Sequence, residues 1–102
     1  MLNKDTFIEL FDKNHHEEYL RFEEIDNPPF ESKDLCGFHK LYQFLKQDEK
    51  HKDIVRDSRH DEIYLCGLDD LDLNNMTEND IIYLIRCGVR YDEEYDCFCM
   101  FV

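Results

Sequence analysis

At Gly88 the periodicity of the chain changes, and this limits the fold more than any other feature of the sequence. Upstream, Ile81, Ile82, Leu84 and Ile85 recur at helical spacing, with Arg86 in the last turn and Gly88 as a natural stop. Thr77 and Asp80 have capping-box-like spacing, and Glu78 and Asp80 stand near the positive helix end. Downstream, Val89-Arg90-Tyr91 and the segment from Tyr95 to Val102 read as two strands around the turn Asp92-Glu93-Glu94. The last strand is apolar on both faces: Tyr95, Cys97, Cys99 and Phe101 on one, Phe98, Met100 and Val102 on the other. Such a strand belongs in the middle of a sheet or at an edge awaiting a partner. A helix and strands this close in sequence must pack together, so the class is α+β.

The rest of the chain fits that class. Thr6 with Glu9 has capping-box spacing, Asn3 offers a second N-cap, and Phe7, Ile8, Leu10 and Phe11 make a short apolar face. His15, Tyr19 and Phe22 extend that face, although a break near Asn14 with a strand over 19–25 fits equally well. Asp26-Asn27-Pro28-Pro29 is an extended loop, because each proline restricts the residue before it. Leu35, Phe38, Leu41, Tyr42 and Leu45 recur at three- and four-residue spacing on one side of a second helix, with Gly37 weakening its first turn. Residues 46–61 are mostly charged, and Glu62 to Leu68 read as a buried strand. The expectation is a single domain over 1–102, with helices at 5–13 (or on to 24), 34–47 and 78–87. They pack on a small, mainly antiparallel sheet of 62–68, 89–92 and 95–101 that ends in a C-terminal hairpin.

Composition decides whether such a chain folds at all. It carries 12 Lys and Arg against 25 Asp and Glu, a formal net charge of -13 over 102 residues. Leu, Ile, Val and Phe make up 29 residues, above the roughly 20% below which highly charged chains stay disordered. There is no Ala and no Trp, so helices gain little from intrinsic propensity and depend on packing. The acidic balance argues against direct binding of nucleic acid or an anionic membrane surface, since both repel it.

The five cysteines (Cys36, Cys66, Cys87, Cys97 and Cys99) lie among apolar neighbours, and the first residues carry no apolar signal region. They read as core-filling thiols of a cytoplasmic protein. Cys36 and His39 have C-x-x-H spacing and Cys97 and Cys99 C-x-C spacing, but no four-ligand zinc pattern results. The adjacent His15 and His16 diverge by about 100° on a helix and rarely share a metal. Asp70-x-Asp72-x-Asn74 lacks the Gly and Glu that a calcium loop needs, having Asn75 and Ile81 in their places. Neither Ser32 nor Ser58 lies in a nucleophile-elbow setting, and no glycine-rich phosphate loop exists. The expectation is a protein with no catalytic residue, no metal and no cofactor.

Charge is distributed unevenly. Residues 1–60 have a net charge of -4 and residues 61–102 a net of -9, with only Arg86 and Arg90 as bases in the second part. Its acids concentrate in Asp69, Asp70 and Asp72 and in Asp92, Glu93, Glu94 and Asp96, the second cluster flanked by Tyr91 and Tyr95. If the strand after Gly88 folds back along the preceding helix, the two clusters meet near that helix's N-terminus. These nine residues form a candidate surface for a basic partner, with the tyrosines as anchors. In size, charge and composition the chain resembles immunity proteins that block nuclease toxins, and anti-CRISPR or other DNA-mimic inhibitors; the likeness carries no residue roles. It implies a stoichiometric inhibitor that docks on a nuclease toxin, a CRISPR effector or another basic nucleic-acid-acting protein. The alternative is a cytosolic adaptor or subunit whose partner is unrelated to nucleic acid. The apolar C-terminal strand would also let two copies pair as a homodimer.

Overall fold

Asn3 fixes where the first helix begins. Its side-chain oxygen accepts hydrogen bonds from the Thr6 backbone N–H at 2.8 Å and the Thr6 hydroxyl at 3.0 Å, satisfying a donor that a first helical turn leaves free. In the computed structural model, which describes residues 2–101, helix α1 then runs unbroken over Lys4–Glu18. Phe7 and Phe11 are buried, and their rings continue into a row with His15 and Tyr19 at centroid distances of 5.9, 5.7 and 5.0 Å. The alternative break near Asn14 does not occur, because the Asn14 amide donates to the Leu10 carbonyl at 2.8 Å and to Glu78 at 2.9 Å. Neither the extension to 24 nor the strand over 19–25 forms. Leu20 takes a φ of 62°, outside both helical and extended backbone, and Phe22–Glu24 make a single 3₁₀ turn.

Helix α2 spans Lys33–Phe44. Its buried side is Cys36, Gly37 and Leu41, whereas Leu35 and Tyr42 are 48% and 45% exposed. The face is rotated from the one the apolar spacing suggests, and Gly37 is the reason. A Cβ there would stand 3.0 Å from Val89 Cγ2, so the missing side chain lets the helix settle against the chain after Gly88. The expected extension to residue 47 fails because the backbone is claimed elsewhere. Leu45 bridges Leu71, the Lys46 N–H donates to the Asp70 carbonyl at 2.9 Å, and the Asp72 N–H donates to the Phe44 carbonyl at 2.7 Å.

Helix α3 spans Glu78–Arg86. Thr77 and Asp80 cap it reciprocally, with the Thr77 N–H donating to Asp80 at 2.9 Å and the Asp80 N–H to the Thr77 hydroxyl at 3.4 Å. Gly88 closes it with a φ of 91°, and the Val89 N–H donates back to the Leu84 carbonyl at 3.0 Å.

Four antiparallel strands follow the order β1-β2-β4-β3, with β1 at Asp57–Arg59, β2 at Glu62–Gly67, β3 at Arg90–Asp92 and β4 at Cys97–Phe101. Strand β1 lies in the charged stretch that gave no strand signal, and all three of its residues are exposed. Tyr95 and Asp96 belong to the β3–β4 turn rather than to the last strand. The Asp92 carboxylate accepts the N–H groups of Glu94 and Tyr95 at 2.9 and 3.2 Å, and Asp96 takes a φ of 50°. Phe98 pairs across from Tyr91 and Met100 from Ile63, and this face meets the helices: the Phe98 ring lies 5.8 Å from that of Phe7. Val102, expected on the same face, lies outside the described residues. Strand β4 pairs with β2 on one side and β3 on the other. It is thus an inner strand of the sheet, not the edge on which the expected homodimer relied.

The β2–β4 pairing is irregular between Tyr64 and Gly67, a bulge that accompanies burial of the consecutive residues Leu65 and Cys66. Gly67 then faces Cys97, and a Cβ there would lie 2.8 Å from the Asp96 carbonyl oxygen. Backbone cannot give way as a flexible side chain can. Gly67→Ala is expected to lower stability by about 1–3 kcal/mol, read as a lower denaturant midpoint with an unchanged slope.

Candidate functional site

Lys4 joins the two acidic clusters. As the first residue of α1 it is placed by the Asn3 cap, and its Nζ donates to Asp96 Oδ2 at 2.8 Å and lies 3.5 Å from Asp69 Oδ1. Asp69 comes from the 3₁₀ turn Leu68–Asp70 directly after β2, and Asp96 from the end of the β3–β4 turn. The other oxygen of Asp96, Oδ1, accepts the Tyr91 hydroxyl. Partial burial pushes the Asp96 carboxyl up, but the Lys4 and Tyr91 hydrogen bonds and the Lys4 charge outweigh it and hold it below its usual range. Lys4 in turn is held above the ordinary lysine range, chiefly by the Asp96 bond.

The clusters do meet, though not where the strand-return argument puts them. Glu78, the first residue of α3, binds Asn14 and Lys13, roughly 15 Å along α1 from Lys4 at 1.5 Å per residue. The meeting point is the N-terminus of α1 instead. Strand β3 is only three residues long and pairs within the sheet, so it does not carry the turn back along α3.

The nine candidate residues divide by what their side chains already do. Asp70 accepts the Gly67 N–H at 2.8 Å and stands 3.9 Å from Arg56 Nη2; Asp92 holds the β3–β4 turn. Asp72 accepts the Asn75 amide at 2.6 Å and shares a shallow cleft with Asp69 and Lys46. Tyr91 is no surface anchor: its ring packs against Phe7, Phe11 and Phe98 at 6.4, 6.4 and 5.4 Å. Burial first, then Asp96, push its phenol up. Four residues remain open. The Asp69 side chain is 74% exposed, Glu93 and Glu94 are exposed at the turn, and Tyr95 is 59% exposed.

Helix α1 carries a further acidic row that sequence reasoning did not single out. Asp5, Glu9 and Asp12 are all exposed on α1, in a row of four- and three-residue steps opposite Phe7 and Phe11. The helical spacing that places Phe7 and Phe11 inside also places this row outside, and was the available signal. Among the described residues, ion pairs engage eight of the twelve bases and nine of the twenty-five acids. The carboxylates left over give the surface its negative field.

The Cys and His residues do not converge. All five thiols are free, and Cys36, Cys66, Cys87 and Cys99 are buried. Burial pushes Cys66 and Cys87 up to about 12 and Cys99 up to about 11, and raises Cys97 as well. Cys36 donates its S–H to the Phe30 carbonyl, while His39 turns outward with its ring 5.6 Å from that of Phe30. His15 lies between Phe11 and Tyr19, and burial, then Arg90, lower its imidazole. Among the described residues no three His, Cys, Asp or Glu side chains are grouped to hold a metal. Asp70 and Asp72, the first carboxylates of the calcium-like spacing, turn to different partners.

No family model, curated protein or solved structure matches the chain.

Two measurements check this geometry. Because the folded value of Asp96 is depressed, its contribution to stability is complete above the unfolded carboxylate range and is lost as pH falls through the folded value. Lys4→Gln should raise the Asp96 titration seen by carboxyl NMR and move the onset of acid unfolding to higher pH. Thiol labelling at pH 8 should be slow at the buried Cys36, Cys66, Cys87 and Cys99 in the native state and fast after denaturation, since buried thiols are inaccessible to the reagent, with Cys97, which is only partly buried, the first to react.

Proposed function

We propose that the protein is a stoichiometric inhibitor of a basic, nucleic-acid-acting protein, of the immunity-protein or DNA-mimic type, and acts by docking rather than by catalysis. The observation that carries this reading is the Lys4 junction: it draws Asp69 and Asp96 to one cation and leaves Glu93, Glu94 and Tyr95 open beside them. Exposed Asp5, Glu9 and Asp12 add negative charge over roughly 10 Å of α1. Carboxylates so arranged can enter a basic cleft where phosphates otherwise sit. Complementary fields speed the encounter and make it salt-sensitive, which suits an inhibitor that competes with nucleic acid for the same cleft. Tyr95 supplies the ring that a charged rim needs for an anchor. The five unpaired thiols fit a reducing cytoplasm, and among the described residues no helix is long and apolar enough to cross a membrane.

The test is affinity capture from cells of the source organism with the wild-type chain and with the double variant Glu93→Lys/Glu94→Lys. Both substitutions lie on exposed turn side chains that make no ion pair among the described residues, so the fold should survive. The wild type should retain a basic nuclease or other nucleic-acid effector, release it with rising salt, and block its activity at one-to-one stoichiometry. The variant should bind it at least about tenfold more weakly, chiefly through slower association. A retained partner without nucleic-acid activity would replace the inhibitor reading with the adaptor one. Equal retention by the variant would remove the turn from the interface.

A further inference from the structure

Beside the acidic turn lies a cleft of different chemistry. This open cleft has a volume of about 200 Å³ and is lined by Arg56, Asp57, Arg59, Tyr64, Leu65, Tyr95 and Cys97. The rings of Tyr64 and Tyr95 meet edge to face, with centroids 6.2 Å apart at 69°, and Leu65 is buried. An apolar cavity of about 150 Å³ accommodates benzene, so this one has room for a single six-membered ring and a small substituent.

The two guanidinium groups give the cleft its selectivity. Arg86 and Arg90 elsewhere are committed to carboxylates at 2.7 and 2.6 Å. Arg56 Nη2 stands 3.9 Å from Asp70, and Arg59 Nε 3.6 Å from Asp57, both beyond hydrogen-bond reach. The Arg56 Nε donates to the Asp53 carbonyl. Its terminal nitrogens, and the whole guanidinium of Arg59, have no hydrogen-bond acceptor among the described residues. A guanidinium carries five donors in a planar fork that matches a carboxylate. Two such forks with unused donors next to an aromatic slot are a site for a planar monoanion. A dianion is disfavoured by Asp57 and Asp70 close by and by the net charge of -13.

We propose that this cleft binds a small single-ring aromatic carboxylate, with the ring against Tyr64 and Tyr95 and the carboxylate on Arg56 and Arg59. The site does not depend on the docking reading, since Arg56, Arg59 and Tyr64 lie outside the acidic surface and only Tyr95 is shared.

The experiment titrates the full chain with benzoate and follows the Tyr64 and Tyr95 ring resonances by NMR. Benzamide, acetate and phenyl phosphate are the comparison ligands, and Arg59→Gln and Tyr95→Leu the variants. Both substitutions are at exposed positions, and the same spectra report whether each variant is folded. Benzoate should give saturable shifts confined to the cleft. Benzamide and acetate should each bind at least about tenfold more weakly, and each variant should weaken benzoate by about tenfold, as loss of a charge-assisted bond or of a ring contact implies. Benzamide binding as well as benzoate, phenyl phosphate binding better, an unchanged affinity in Arg59→Gln, or no saturable shift up to about 10 mM would each overturn the proposal.

Discussion

Strand β4 is the constraint on which the other elements depend. It pairs with β2 along Cys97–Phe101 and with β3 through Cys97, Phe98 and Cys99, and its buried side chains are shared by most of the remaining structure. Phe98 brings in α1 through Phe7 and the β3 strand through Tyr91. Met100 reaches toward Gly37 of α2 and toward Gly88, where α3 ends. Two side chains, each worth roughly 1.5–3 kcal/mol when fully buried, therefore orient three helices at once. The glycines mark the points of closest approach. At Gly37 and Gly67 the next layer occupies the space a side chain would need, so these positions set how near α2 and the β3–β4 turn come to the strands.

Charge is arranged around this frame in two ways. Close pairs between distant segments tie elements together: Arg86 with Glu18 joins α3 to α1, and Arg90 with Glu62 joins β3 to β2, the Arg90 guanidinium also lying 4.4 Å from the Phe101 ring centroid. Both pairs are partly shielded from solvent. Lys4 with Asp96 and Asp69, and Lys13 with Glu78, tie distant segments in the same way. Most of the other acids, Asp5, Glu9, Asp12, Glu93 and Glu94 among them, are exposed, so the molecule keeps most of its negative charge on the outside, away from the core.

What the sequence revealed depended on whether a signal was local. Helix α3 was legible almost to the residue, because Thr77, Asp80 and Gly88 are caps whose partners lie within five positions. The apolar strand at the C-terminus was legible for the same reason. Strand β1 was not, since Asp57, Ser58 and Arg59 bury nothing and are held by backbone pairing with β2 alone. The buried face of α2 was misread because Leu35 and Tyr42 match the apolar spacing as well as Leu41 does, and only Gly37 against Val89 decides between the faces. The candidate surface was half legible. Its two clusters are contiguous runs of acids, but their junction depends on Lys4, 65 residues away from one cluster and 92 from the other. The packing of Tyr91 against Phe7 and Phe11 depends on the same long-range contact between α1 and the sheet.

That contact also determines how rigid the acidic turn is. The turn is held at both ends: Asp92 binds the backbone of Glu94 and Tyr95, and Asp96 is fixed by Lys4 and by the hydroxyl of a packed tyrosine. Between these points Glu93 and Glu94 project from backbone that has little freedom left to lose. Association costs roughly 0.5–1.5 kcal/mol for each flexible side chain that is immobilised, and more where a loop must be ordered as well. A surface whose backbone is already ordered avoids the second cost. The like-charge repulsion that gathering these carboxylates creates is offset in part by Lys4, and the turn still presents an excess of negative charge. Lys4 thereby ties the two acidic segments together with one side chain at the start of α1, while Glu93 and Glu94 keep the turn negative toward solvent.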